Sequence, residues 1–171
     1  MKKRMCALLI CTITFQFCLA SCKTRNNDAE PQPTNVSTSS EENMTKDETI
    51  EAFYNNYEAF CIVADYLLQK TGYSGIGISG DKVVAYNNKT GSMVVETYEI
   101  DTFEVGEQLK LICGVGFNGA GKDTDSTRIY FSTPFDTGTQ GVIYVPGGLE
   151  DARAQDKLGK KDWYYFQIKY D

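Results

Sequence analysis

Two loops and one strand of this chain carry residues at spacings that chemistry uses. Gly116-Phe-Asn-Gly-Ala-Gly121-Lys122-Asp123 is one residue away from a Walker loop, in which backbone amides cradle phosphates and a lysine reaches them. Such a loop needs Ser or Thr after the lysine to hold magnesium, and a helix whose N-terminus receives the phosphates. Asp123 stands at that position and strand-like residues follow, so no nucleotide is expected here. Asp123-Thr-Asp125-Ser-Thr127 has the spacing of a phosphoaspartate motif and of the first calcium-loop ligands. It lacks the preceding apolar strand of the former, and the turn glycine and distant Glu of the latter.

Histidine is absent from all 171 residues, which excludes Ser-His-Asp and Cys-His catalysis and leaves no zinc-ligand spacing. No catalytic residue, metal ligand or cofactor is therefore expected. Paired carboxylates of the glycosidase kind stay open, since 19 of the 23 acidic residues lie after residue 44, but no pair is marked by its sequence. In Asp162-Trp-Tyr-Tyr-Phe-Gln-Ile-Lys-Tyr170, strand alternation puts Tyr164, Phe166, Ile168 and Tyr170 on one face. Trp163 and Tyr165 fall on the other. If exposed, these two are candidate contacts for a sugar ring or a protein partner; if a helix covers them, they are core.

The strongest chemical signal lies near the start. Met1-Lys2-Lys3-Arg4 is a basic leader, and Met5 to Leu19 is an uncharged, largely apolar run of 15 residues. That is short of the about 20 residues of a membrane-spanning helix and suits a signal peptide. Leu19-Ala20-Ser21-Cys22 resembles a bacterial lipobox, where the signal is cut before a cysteine that carries lipid. The resemblance implies a lipoprotein anchored on the extracytoplasmic face of the cell membrane through Cys22, away from nucleotide pools.

Removing residues 1–21 leaves 14 basic against 23 acidic residues, a net charge of −9. Nucleic acid is not an expected partner of such a chain, because its binding rests on clustered Lys and Arg. The same charge gives no attraction to an anionic membrane face, so the lipid has to supply the hold. Of six cysteines, only Cys61 and Cys113 lie in the domain. Both sit in apolar stretches, which favours buried thiols over a disulfide.

The expected organisation is signal peptide 1–21, tether 22–44 and one domain over 45–171. Within the tether, Lys23 to Asn43 is Pro-, Ser- and Thr-rich with Val36 as its only sizeable aliphatic, too little to offset ordering entropy. Thr45-Lys-Asp-Glu48 has capping-box spacing, and Ile50, Phe53, Tyr54, Tyr57, Phe60, Cys61, Ala64, Leu67 and Leu68 recur at helical intervals up to Gly72. This predicts one long helix. Val83–Tyr86 and Met93–Tyr98 read as strands around an Asn87–Gly91 loop, with Ile76 and Ile78 as a further short strand. Thr102 to Cys113 fits both periods; its cap favours a second, shorter helix. Arg128–Ser132, Gly141–Val145 and the terminal Trp163 stretch complete a set of five or six strands, and Leu149 to Lys161 reads as a charged excursion.

The long helix, Thr127-Arg-Ile-Tyr-Phe-Ser132, Gly141-Val-Ile-Tyr144 and Trp163-Tyr-Tyr-Phe166 resemble small secreted or lipid-anchored domains of Gram-positive bacteria. The resemblance covers about Asp47 to Asp171. Val145 departs from it, since that group tends to show Ser after the Tyr. It implies no catalytic residues, because none are defined for the group.

The expected fold is thus α+β, with a long N-terminal helix and a shorter second helix on a mainly antiparallel sheet of five or six strands. The expected function is a non-catalytic interaction module held at the membrane, taking a protein or cell-wall glycan through an exposed aromatic or apolar patch. The alternatives are a carbohydrate-active enzyme with a carboxylate pair, or an inhibitor or immunity-type protein with an acidic surface.

Overall fold

The computed structural model describes residues 43–171, apart from 90–91, 123–126, 136, 149–153 and 171. The expected signal peptide, Cys22, most of the expected tether and the Asp123–Asp125 motif lie outside the described residues. The elements are α1 (Lys46–Asn55), α2 (Tyr57–Gln69), β1 (Tyr73–Ser79), β2 (Lys82–Lys89) and β3 (Ser92–Glu99). A 3-10 turn (Ile100–Thr102), α3 (Gly106–Gly114), β4 (Ala120–Lys122), β5 (Ile129–Phe135), β6 (Gly138–Tyr144), β7 (Ala154–Lys157) and β8 (Trp163–Lys169) follow.

This differs from the expected α+β arrangement in both of its layers. The single long N-terminal helix is two short ones, divided at Asn56, whose φ of −121° and ψ of 22° leave the helical range. The Asn56 side chain donates to the Ala52 carbonyl at 3.0 Å, a local bond that competes with the helical ladder. Upstream, the capping box forms as its spacing predicts: the Thr45 N–H donates to Glu48 Oε2 at 2.8 Å, and the Glu48 N–H donates to Thr45 Oγ1 at 3.3 Å. These bonds to Thr45 hold the Glu48 carboxyl below its usual range.

Among the described residues the sheet has eight strands, not five or six, in the order β3-β2-β1-β4-β5-β6-β8-β7, with every neighbouring pair antiparallel. The two unforeseen strands are β4, inside the glycine-rich Walker-like stretch, and β7, inside the charged excursion. At three and four residues, neither has a periodicity of its own to read; each is held by the ladder of its neighbours. Strand β2 also runs on through Asn87 and Asn88 to Lys89, shortening the expected loop. Between β3 and β4, α3 settles the doubly periodic stretch. Leu109 and Ile112 are buried while Leu111 is exposed, a helical and not an alternating pattern. Gly106 permits the tight approach of α3 to the preceding turn, since a Cβ there would lie 2.0 Å from the Ile100 carbonyl oxygen.

Opposed residues of an antiparallel pair share a face, so the register assigns each side of the sheet. One face carries Ile76, Val83, Ala85, Ala120, Ile129, Phe131, Val142, Trp163 and Tyr165, and packs with Phe53, Phe60, Val63, Leu67, Leu109 and Ile112 of the helices. Its centre is aromatic: Phe60 lies 4.8 Å from Phe131 and Phe53 lies 4.9 Å from Trp163, ring centre to ring centre. The other face holds a smaller cluster of Ile143 and Phe166 with Val145, flanked by Tyr130, Tyr164 and Ile168.

Candidate functional site

Trp163 and Tyr165 are candidate contacts if exposed and core if covered, and the structure places both in the main core, each 1 % exposed. The alternation along the last strand is as expected, but α1 and α2 cover the Trp163 side. The Tyr164, Phe166 and Ile168 side faces only the minor cluster. A sheet residue two positions on keeps its face, so covering one face of β8 removes both candidates at once. Neither presents a surface to a ligand.

Tyr165 has a structural task. Its hydroxyl donates to Gln140 Oε1 at 2.7 Å, within the core. Gln140 Nε2 donates onward to the Met44 carbonyl at the start of the described chain. Lys46 Nζ lies 5.0 Å from the centre of the Tyr165 ring and pairs with Asp156 of β7. Burial raises the Tyr165 phenol above its usual range, and hydrogen bonding to Asp156 raises the Lys46 amine. The first turn of α1 is thereby moored to β6, β7 and β8.

The lysine of the Walker-like stretch is also occupied. Lys122 Nζ donates to the carbonyls of Leu67 at 2.9 Å and Lys70 at 3.0 Å. These belong to the C-terminal end of α2, where orphan carbonyls and the negative end of the helix dipole favour a cation. Burial pulls the Lys122 amine below its usual range. The stretch is a strand whose lysine caps a helix, with Gly119 at φ 132° against the Ile76 carbonyl.

Beside that helix end lies a shallow depression lined by Gln69, Lys70, Thr71, Gly72, Tyr73 and Asn87. Asn87 is 7 % exposed, and its buried Oδ1 has no hydrogen-bond partner. A chain of hydroxyls runs nearby: Tyr73 and Tyr98 oxygens are 3.3 Å apart, and Tyr98 donates to Glu96 Oε2 at 2.8 Å. Bonding to Tyr73 and Glu96 pushes the Tyr98 phenol well up. The two domain cysteines are free and partly buried. Burial raises both thiols, that of Cys113 to about 11. Among the described residues no three His, Cys, Asp or Glu side chains converge as metal ligands would, and no helix is long and apolar enough to cross a membrane.

The feature with the geometry of a contact surface is β3. It is the last strand on one side of the sheet, and among the described residues nothing pairs with its outer edge. Met93, Val94 and Val95 are 58 %, 40 % and 54 % exposed. The Asn88 N–H donates to the Gly72 carbonyl, towards β1, so alternate β2 residues from Val83 to Lys89 turn to β3. Their partners Val94, Glu96 and Tyr98 turn back, which leaves the backbone groups of Met93, Val95 and Thr97 aimed outward. Natural edges are blunted by charged side chains, especially Lys, by Pro or by bulges. The opposite edge, β7, has a register shift between Ala154 and Asp156 and the Lys46 ion pair. β3 pairs with β2 without a shift and contains neither Lys nor Pro. Its two charged side chains are engaged, Glu99 by Lys82 and Glu96 by the Tyr98 hydroxyl, which leaves 92–95 uncharged.

The sequence holds a signal for this site that the strand assignment alone passes over. Met93-Val94-Val95 is three consecutive apolar residues, which breaks the alternation of a half-buried strand. No protein-family profile, no curated protein and no solved structure matches the chain.

Proposed function

We propose that this protein is an extracytoplasmic interaction module, anchored to the membrane by lipid on Cys22 and recognising its partner by strand addition at β3, without catalysis. The single observation that carries the binding role is the unguarded β3 edge, with three exposed aliphatic side chains and outward backbone donors and acceptors. Such an edge supplies main-chain hydrogen bonds to an extended peptide and pockets for alternate side chains. A polypeptide partner uses both, which favours protein over glycan. The anchor is supported by Leu19-Ala-Ser-Cys22 and the apolar run before it. The mooring of Met44 and Lys46 to the sheet suits a domain held from its N-terminal side.

Two measurements on the whole chain test this. Cys22→Ala should release the protein from the membrane fraction or stall its processing; a variant still processed and membrane-bound removes the anchor. Val95→Lys should reduce co-purification of envelope partners at least about tenfold, as a charge facing an added strand does. Equal recovery with the wild type removes the β3 edge as the binding surface.

A further inference from the structure

We infer that the strand added to β3 is β3 of a second copy of this chain, running antiparallel about a two-fold axis at Val94. The inference rests on the β3 edge being the binding surface and names its occupant. Around Val94 the residue types are symmetric: Ser92 and Glu96 are polar, and Met93 and Val95 are apolar. A two-fold axis there sets Val94 against Val94 of the second copy, Met93 against Val95, and Ser92 against Glu96. All three exposed aliphatics meet aliphatics. Shifting the axis one residue, to Val95, sets Val94 against Glu96 and loses that match.

The charges on β3 itself do not oppose the pairing. Glu99 is bound to Lys82 at 2.8 Å, and Glu96 accepts the Tyr98 hydroxyl. In the Val94 register neither carboxylate lies opposite its counterpart. The backbone also fits. Met93 and Val95 direct their N–H and C=O groups outward, and they are opposed to each other, so each exchanges a pair of ladder bonds with its counterpart. The two Val94 residues form the intervening pair without hydrogen bonds, where Cα atoms approach to about 4.5 Å.

The assembly closes at two. Isologous pairing consumes both β3 edges, and the guarded β7 edge offers no continuation. The contact is a single pair of short strands, small against the about 1,000 Å² of a stand-alone interface. It is therefore weak between freely diffusing chains and gains from the high effective concentration of chains sharing one membrane.

Cysteine cross-linking in membranes from cells producing the full chain tests the register. Met93→Cys, Val94→Cys, Val95→Cys and Thr97→Cys are oxidised with copper phenanthroline, and the wild type reports background from its own cysteines. Val94→Cys should give the most reducible dimer, at least about fivefold more than Thr97→Cys, because only residue 94 meets itself at disulfide distance. Adding Val95→Lys to Val94→Cys should abolish the dimer. A maximum at another position, or no dimer above wild type, overturns the pairing. If no dimer forms while Val95→Lys still lowers partner recovery, a different chain occupies the edge and the interaction module stands. If Val95→Lys changes neither measurement, both fall together.

Discussion

Tyr165 and Gln140 are joined by a 2.7 Å hydrogen bond inside the core, and through Gln140 the bond reaches the Met44 carbonyl. A tyrosine that strand alternation offers as a surface contact instead fastens the beginning of the domain to its last strand. Tyr165→Phe keeps the ring and leaves Gln140 Oε1 buried without its donor. It should lower unfolding free energy by about 1–3 kcal/mol, read by urea titration. A double-mutant cycle with Gln140→Leu should show coupling, since the two side chains share one network. An additive cycle would show that the bond does no stabilising.

Trp163 is the only tryptophan, and it touches Phe53, Phe131 and Tyr144 at ring-centre distances of 4.9, 5.8 and 5.0 Å. Trp163→Ala should cost about 3–5 kcal/mol, where an exposed tryptophan would cost under about 0.5. Emission from the folded wild type should be blue-shifted and move red on unfolding. A red emission maximum in the folded protein would contradict its burial.

Lys122→Met preserves much of the stem and removes the ammonium from the end of α2. Two carbonyls lose their donor, and stability should fall by about 1–3 kcal/mol. Amide exchange should quicken first in the last turn of α2, near Leu67 to Lys70. Unchanged protection there would argue against the capping role.

Asn87→Leu replaces an unpartnered buried acceptor by an apolar group of similar shape. It should raise stability by about 1 kcal/mol, seen as an increase in Tm. A loss of stability would mean that the amide has a partner in solution.

Alkaline unfolding carries a recognisable sign. The Cys113 thiol ionises near 9.0 when unfolded and at about 11 in the fold, because burial disfavours the thiolate. The folded state thus binds more protons between those values, so its contribution to stability is intact below pH 9 and is lost as pH rises through 11. Tyr66, raised to about 12 chiefly by burial, extends the loss upward. Cys113→Ala should flatten the pH 9–11 limb by about 1–2 kcal/mol in denaturant titrations at several pH values, after its partial exposure is allowed for. An unchanged limb would place the thiol in contact with solvent.

Several elements are legible from residues alone because their causes lie within a few positions. The Thr45–Glu48 box is a bond across three residues, and it forms. The β2–β3 hairpin and the β5–β6 hairpin follow from alternating β-rich runs around turn residues. Asn55-Asn56 in the middle of an apolar stripe is the local mark of the break between α1 and α2, weaker than the stripe around it. The short strands β4 and β7 have no comparable mark, since three or four residues take their state from the strands beside them. The β3 surface is half-legible: its aliphatic triplet is plain in the sequence, but its exposure depends on β3 standing at the end of the sheet.

By itself the sequence determined where the first helix begins, which residues of the last strand share a face, and that no histidine chemistry is possible. The lipobox-like stretch Leu19–Cys22, outside the described residues, is an expectation from the sequence alone. Only the tertiary structure decided that the Trp163–Tyr165 face is the core, that Lys122 caps a helix, and that β3 is the open edge. The physical reason is range. Caps, turns and alternation are set by neighbours a few residues away, whereas the face a strand buries and the place it takes in a sheet are set by partners such as Leu67 for Lys122, 55 residues distant.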